Sequence, residues 1–169
     1  MLETPEELER LQTLLDESIE GAGRHLRDVI DDGRRMTAED VCARMHGMCL
    51  LVVGTVTADG RPLVGPVDGY LVHGSLWFSS ARDSVRMRHL ARRPHVSATY
   101  LPSEECAVTV HGHAELFDVC DPQHPELRDA MLRHYLPLQG PAFAEWVDRE
   151  NPVGARIETE KIFTFLIPR

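Results

Sequence analysis

This 169-residue sequence has almost no lysine, no long apolar run and no closely paired cysteines. Lys161 is the single lysine, against 17 arginines. No segment approaches the roughly 20 apolar residues that a membrane-spanning helix needs. The N-terminus is acidic, whereas a signal peptide begins with a basic and then an apolar region. We therefore expect a cytoplasmic protein without a membrane partner.

The four cysteines, at positions 42, 49, 106 and 120, show no CxxC or other ligand spacing. This pattern predicts free thiols in a reducing compartment rather than a disulfide framework or a zinc site. His111 and His113 would share one face of an extended strand, but two imidazoles alone do not complete a metal site. We expect no bound metal.

Negative charge is unevenly distributed along the chain. The net charge is −9, and 12 of the 27 acidic residues lie within residues 1–40. The remainder is close to neutral and offers no domain-wide basic face, so nucleic acid is not expected as a partner. Walker, GxGxxG and nucleophile motifs are also missing, so an enzyme built on this chain would need a bound cofactor for redox chemistry.

Residues 1–47 have a helical pattern and form a predicted N-terminal helical extension. Thr4, followed by Pro5 and Glu7, predicts a capping box with proline at the first helical position. Thr37 with Asp40 predicts a second capped helix start. We expect these helices to pack on the main domain or on a partner subunit.

Residues 48–169 contain six short predicted strands with one helix inserted early. An Asp-Gly pair at 59–60, between two apolar runs, predicts a tight hairpin. We expect the return strand, 63–72, to be broken, because proline removes a donor and glycine weakens a strand. The interrupting residues are Gly65, Pro66 and Gly69. The overall pattern predicts a mainly β, α+β fold built on a six-stranded antiparallel barrel.

Hydroxyl and guanidinium groups are concentrated where the third predicted strand leads into the short helix. They belong to Ser79, Ser80, Arg82, Ser84, Arg86 and Arg88. Such groups, together with the free N–H groups of a helix start, donate to phosphate oxygens. The segment predicts an anion site. The alternative is a capped helix start with solvated charges.

Four segments carry a more specific pattern through their order and spacing. They are GTVTADGRPLVGPV at 54–67, LWFSS followed by SVRMRHL and RPHV within 76–96, VTVHGHAEL at 108–116 and ARIETEKIFTF at 155–165. Together they resemble the pyridoxamine 5′-phosphate oxidase-like split β-barrel family, which includes flavin and deazaflavin oxidoreductases. The resemblance implies a split barrel over residues 48–169 and a homodimer with the cofactor at its interface.

The resemblance also implies where a flavin would bind. The family's phosphate-binding positions match Ser79, Ser80, Val85 and Arg86, and we add Ser84 and Arg88 from the local cluster. The flavin ring is expected along Gly65, Pro66, Val67 and Asp68. No catalytic side chain is assigned, because hydride transfer from a flavin needs no strong acid or base.

Three departures from the family pattern bear on activity. Val85 stands where the family has an arginine, Arg86 replaces its lysine, and Ala107 lies near its flavin-contacting glutamine. The basic residues and the C-terminal substrate motif of the oxidase itself have no counterpart here. We therefore do not expect pyridoxamine-phosphate oxidase activity.

The expected function is FMN-dependent hydride transfer to or from a small organic substrate. F420 is the close variant, since its longer acidic tail would use the extra arginines at positions 82, 88, 92 and 93. A non-catalytic carrier of flavin or haem, with histidines near the cleft as haem ligands, is the alternative from another class. A barrel that serves only in dimeric interactions is a third.

Overall fold

The computed structural model describes residues 3–167, which contain six helices and six strands. In chain order the elements are α1 Pro5–Glu20, α2 Arg24–Val29, α3 Ala38–Arg44, β1 Met48–Val56, β2 Pro62–Val72, β3 Ser75–Ser80, α4 Val85–Leu90, β4 His95–Ser103, β5 Cys106–Asp118, α5 Pro125–Gln139, α6 Pro141–Glu150 and β6 Val153–Leu166. None of the helices within this range is long and apolar enough to cross a membrane.

The six strands form a closed antiparallel barrel in the order β1-β2-β3-β6-β5-β4. The predicted fold class, a six-stranded antiparallel barrel with added helices, is confirmed. The β1–β2 hairpin turns at Gly60, whose φ of 84° lies in the region that glycine adopts without strain. Inward-facing side chains such as Leu51, Phe78, Val108 and Ile157 form the barrel core.

The N-terminal helices begin where the sequence predicts capped starts. The Thr4 side chain accepts from the Glu7 backbone N–H, and the Glu7 carboxylate accepts from the Thr4 N–H at 2.8 Å. Thr37 and Asp40 make the same reciprocal pair at the start of α3. Leu11 of α1 packs into the same hydrophobic core as the barrel strands, so this extension closes over the barrel.

Strand β2 is continuous, and the expectation that it would be broken is wrong. It pairs with β1 from Pro62 to Tyr70, including Val52 opposite Pro66. The Pro66 carbonyl oxygen accepts from a side chain of α4 rather than from β1. In an antiparallel pair the N and C=O of one residue point to the same side, so the missing proline N–H costs the β1–β2 ladder no hydrogen bond.

Strand β3 is much shorter than its two neighbours, so parts of the β2 and β6 edges extend beyond it without a strand partner. It pairs with only Gly69–Val72 of β2 and with only Val153–Arg156 of β6. The rest of the β6 edge is covered by the N-terminal segment. There the Ile162 N–H donates to the Ser18 hydroxyl at 2.9 Å, and the Leu166 N–H to the Arg34 carbonyl at 2.9 Å. The rest of the β2 edge faces α4.

Candidate functional site

The candidate site is the gap where β2 and β3 diverge. Residues 62–68 of β2 are hydrogen-bonded to β1 but extend beyond the last β2–β3 pair, Gly69 with Phe78. The end of β3 and the start of α4 form the opposite side of this gap. The structure therefore brings together the two segments that the sequence analysis assigned to the cofactor, although they are separated along the chain.

Arg86 spans the gap from α4 to β2. Its Nη2 donates to the Pro66 carbonyl oxygen at 3.3 Å. It also lies 2.8 Å from the position that a Cβ on Gly65 would occupy. A side chain at residue 65 would thus displace the guanidinium, which explains why a glycine suits this point of the strand.

The positive charge of Arg86 is not neutralised locally. The residue is half-buried, and burial lowers the pKa of its guanidinium. Among residues 3–167 no carboxylate lies within salt-bridge distance of it. Arg86, Gly65 and Val85 line a cavity of about 210 Å³ beside β1 and β2. This cavity is the part of the gap that is best suited to an anion.

Ser79 and Ser80 face a second and larger cavity, of about 790 Å³, between the end of β3 and the α5–α6 pair. Asp68 of β2 lines the same space. The Ser79 hydroxyl contacts the sulfur of Met131 at 3.6 Å. The predicted site residues are therefore divided between two neighbouring cavities. Both cavities adjoin the β2 edge, where Arg86 hydrogen-bonds to Pro66.

Tyr135 of α5 donates a hydrogen bond from its hydroxyl to the carboxylate of Asp68. Burial, followed by the neighbouring Asp68 carboxylate, raises the pKa of Tyr135 to about 12. The hydroxyl therefore keeps its proton at neutral pH. This contact fixes Asp68 at the mouth of the larger cavity.

Four residues that the sequence predicted for the anion or cofactor site, Arg82, Ser84, Arg88 and Val67, make other contacts in the structure. Ser84 caps α4 by accepting the Met87 N–H at 3.3 Å. Val67 points its side chain into the barrel core and, as the neighbour of Pro66, turns its N–H and C=O to β1 rather than to the gap. Arg88 donates to the Asp83 carbonyl oxygen and lines neither cavity. Arg82 lines the larger cavity and is held by Asp118 and by a backbone carbonyl.

Sequence reasoning missed the aromatic wall of the larger cavity. Tyr135, Phe143 and Trp146 come from α5 and α6, on either side of the Gly140-Pro141 junction. No motif marks them, and a helical face of aromatic residues is typical of ordinary core packing. The sequence therefore carries no signal for this wall. In the structure Trp146 remains 39% exposed, although Phe143 and Val147 of the same helix are buried.

The histidines of β5 lie outside the gap. His111 hydrogen-bonds with Ser97 at 2.8 Å, and His113 pairs with Glu160 at 3.2 Å. Within residues 3–167 no group of three or more potential metal ligands comes together. The four cysteines are unpaired in the structure, and burial raises the pKa of the Cys42 thiol to about 12.

Comparison with known proteins places this architecture in a family. Residues 42–162 match the family profile described as pyridoxamine 5′-phosphate oxidase. The chain belongs to the pyridoxamine 5′-phosphate oxidase family. The resemblance seen in the sequence is thereby confirmed. No protein with curated annotation matches the sequence significantly.

Solved structures of proteins with very different descriptions share the fold of this chain. The conserved hypothetical protein Rv2991 from Mycobacterium tuberculosis is 17% identical, with a TM-score of 0.66, over 82% of this chain and 93% of that one. The haem storage protein HutZ from Vibrio cholerae is 15% identical, with a TM-score of 0.63, over 75% and 93%. An F420 reductase is 18% identical, with a TM-score of 0.56, over 72% and 94%. At these identities the likeness establishes the split-barrel fold, and the ligand has to be argued from the site.

Proposed function

We propose that this protein is a flavin-dependent oxidoreductase that uses FMN to transfer hydride to or from a small organic molecule. The observation that carries the proposal is the free edge of β2 opposite Arg86, an unneutralised cation facing backbone groups that no strand covers. Family membership supports it. The two segments to which the resemblance assigns the flavin also meet at this gap.

The phosphate-binding end of the site is suited to a single phosphate group. A guanidinium donates several parallel hydrogen bonds to phosphate oxygens, and it does so more strongly where water is partly excluded. Arg86 meets both conditions, since it is half-buried and held by one long bond to Pro66 that a phosphate oxygen can replace. Val85, in the place of the family's second cation, leaves this role to Arg86.

The ring-binding end is the β2 edge from Gly65 to Asp68. Successive residues of the strand point their N–H and C=O groups to opposite sides, so the backbone groups of Pro66 and Asp68 face the gap, as the hydrogen bond from Arg86 to the Pro66 carbonyl shows for Pro66. Such groups can orient the polar edge of a flat ring system, and Gly65 adds no side chain between the ring and the strand. Bound FMN would supply the hydride chemistry itself, while these residues bind and orient it.

The neighbouring arginines favour FMN over F420. The longer acidic tail of F420 calls for additional free cations, which the sequence analysis sought among the arginines near α4. Arg82 is engaged by Asp118 at 2.6 Å, Arg88 by the Asp83 carbonyl, and Arg93 by the Val56 carbonyl at 3.0 Å. These three are committed to contacts within the chain, and Arg92, the fourth arginine expected to serve such a tail, is exposed and lines neither cavity. F420 is therefore the alternative cofactor.

The site is proposed to be completed by a second copy of the chain. Large apolar side chains are exposed on the outer face of β1, β2 and β4, including Val64 at 69% and Leu101 at 58% exposure. The others are Leu50, Val52 and Val56. Val64 also lines the cavity that contains Arg86, so a partner packed on this face would exclude water from the phosphate-binding end.

A haem carrier is the alternative function, and the site gives it less support. No histidine lines either of the two cavities among the described residues. His89 of α4 is the nearest along the chain to Arg86, and its Nδ1 is engaged by the Thr55 hydroxyl at 3.1 Å. An axial imidazole for haem would have to come from elsewhere.

A ligand titration tests the proposal directly. The visible spectrum of the purified protein is recorded, and the protein is then titrated separately with FMN, F420 and haemin. We expect flavin bands in the purified protein, or saturable quenching of added FMN fluorescence. Tighter binding of F420 than of FMN would identify F420 as the cofactor. A Soret band on addition of haemin would favour the haem-carrier function. A folded protein that binds none of the three would contradict both functions.

A further inference from the structure

We propose that the larger cavity is a binding site for an organic cation, an ammonium group carried on an apolar or aromatic body. The cavity lies between the end of β3 and the α5–α6 pair and has a volume of about 790 Å³. That volume lies within the range of small-molecule sites in proteins. Two independent features of its lining, its aromatic wall and its charge, point to a cation.

The first feature is a row of three aromatic rings. The ring centroids of Tyr135 and Phe143 are 4.6 Å apart, and those of Phe143 and Trp146 are 5.6 Å apart with the planes inclined by 29°. Trp146, at the outer end of the row, keeps 39% of its surface exposed. Aromatic faces attract ammonium groups through their quadrupole, and the indole ring does so most strongly.

The second feature is an excess of carboxylates in the lining. Asp68, Asp83 and Glu150 all line the cavity, whereas Arg82 is its one cationic lining residue in the described part of the chain. Arg82 is neutralised by Asp118, whose carboxylate lies 2.6 Å from its Nη2. Glu150 is likewise paired with Arg149, at 2.9 Å, so Asp68 and Asp83 are the lining carboxylates without a cationic partner among residues 3–167. The lining therefore keeps a net negative charge, which attracts a cation and disfavours a phosphate or carboxylate ligand.

This charge distinguishes the two cavities by ligand. Arg86 makes the smaller cavity suited to an anion, while Asp68 and Asp83, which have no cationic partner in the described chain, make the larger one suited to a cation. As a binding site, the larger cavity does not depend on a cofactor. Its use as the substrate site rests on the proposed function, in which the substrate lies next to a ring held along Gly65 to Asp68.

The test uses the full-length protein without added cofactor and three small probes. Benzyltrimethylammonium, benzyl alcohol and phenylacetate present a cation, a neutral group and an anion on a similar aromatic body. Their dissociation constants are measured by ligand-observed NMR at matched ionic strength. We expect the cation to bind about tenfold more tightly than the alcohol, and phenylacetate to bind most weakly.

Substitutions at two exposed lining residues test whether the cation binds in this cavity, and a third substitution serves as a matched control. Trp146→Leu and Glu150→Gln are each expected to weaken binding of the cation about three- to tenfold. Glu145→Gln, the same type of change on α6 but outside the cavity lining, should leave it unchanged. Equal binding of cation and alcohol, or equal effects of Glu145→Gln and Glu150→Gln, would overturn the proposal.

A parallel FMN titration separates this proposal from the proposed function. Cation binding without FMN binding would contradict the flavoprotein assignment and leave the cation site supported. FMN binding without cation selectivity would do the reverse.

Discussion

The guanidinium of Arg86 occupies the space in which residue 65 would otherwise place a side chain. Nη2 of Arg86 lies 2.8 Å from the position of a Cβ built on Gly65. Residues 21 positions apart along the chain are thus coupled. The glycine on β2 allows the cation on α4 to reach the free strand edge.

The first prediction concerns this coupling. In Gly65→Ala the new methyl group meets the far end of a flexible side chain, so Arg86 moves while the fold is retained. We expect FMN to bind about fivefold more weakly, as for the loss of one hydrogen bond of about 1 kcal/mol, and thermal stability to change little. Fluorescence titration and thermal unfolding measure the two effects. Gly23→Ala, where a Cβ meets nothing within 4 Å, is the control. Unchanged FMN affinity in Gly65→Ala would show that Arg86 does not hold the phosphate.

The second prediction compares two arginines of the same short helix. Arg86→Ala should weaken FMN binding by about 1.5–3 kcal/mol, or about 10- to 150-fold, because it removes a charge-assisted hydrogen bond. Arg88→Ala should have a much smaller effect, since that guanidinium is turned to the Asp83 carbonyl and lines neither cavity. Equal losses in both variants would place Arg88 at the phosphate, as the sequence analysis expected.

The third prediction tests the exposed face of the barrel. Leu101→Asp introduces a charge among the apolar side chains of β1, β2 and β4, and it should convert a dimer into a monomer because burying an unpaired carboxylate is unfavourable. Size-exclusion chromatography with light scattering gives the mass. Val29→Asp, an exposed valine on α2, controls for the general effect of an added charge. A wild-type protein that is already monomeric, or a dimeric Leu101→Asp, would rule out this interface.

The fourth prediction concerns the acid stability of the contact between α1 and the barrel. Partial burial raises the pKa of Glu7, but the Thr4 backbone N–H and the His73 imidazole outweigh that effect and hold it below its ordinary value of 4.5. A carboxyl group with a lowered pKa in the folded state stabilises the protein above its unfolded pKa. That contribution is lost as the pH falls below about 4.5 through the folded pKa.

Glu7→Gln should therefore flatten the dependence of unfolding free energy on pH between about 5 and 3. Urea denaturation across this range measures the slope. Glu6→Gln is the control, because among residues 3–167 the Glu6 side chain makes no hydrogen bond or ion pair. If both variants show the wild-type slope, the Glu7–His73 pair does not contribute to acid stability.

The fold was largely predictable because its signals are local. The capping boxes at Thr4 and Thr37 and the glycine turn at 59–60 each specify a backbone conformation over a few residues. Once six antiparallel strands are recognised, a closed barrel is the usual way to cover their edges. The continuity of β2 at Pro66 was not predictable, because it depends on β3 ending early on the neighbouring side.

The site was only partly predictable, because its division into two cavities arises from long-range contacts. The pairing of Arg82 with Asp118 joins residues 36 positions apart, and that of Tyr135 with Asp68 joins residues 67 apart. Neither pair has a spacing that sequence alone could reveal. From the sequence, Arg82, Arg86 and Arg88 are therefore interpreted as one anion site. In the structure, Arg86 alone of the three reaches the β2 edge.

The early end of β3 also bears on how this scaffold can diversify. The long β5–β6 ladder and most core side chains of the barrel lie outside the β2–β3 gap. Substitutions at exposed positions of its lining, such as Val85 and Glu150, can therefore change its charge, width and depth with little effect on folding. Stability and ligand choice are then free to evolve on separate sets of residues, and a chain can acquire a new ligand without first becoming a less stable barrel.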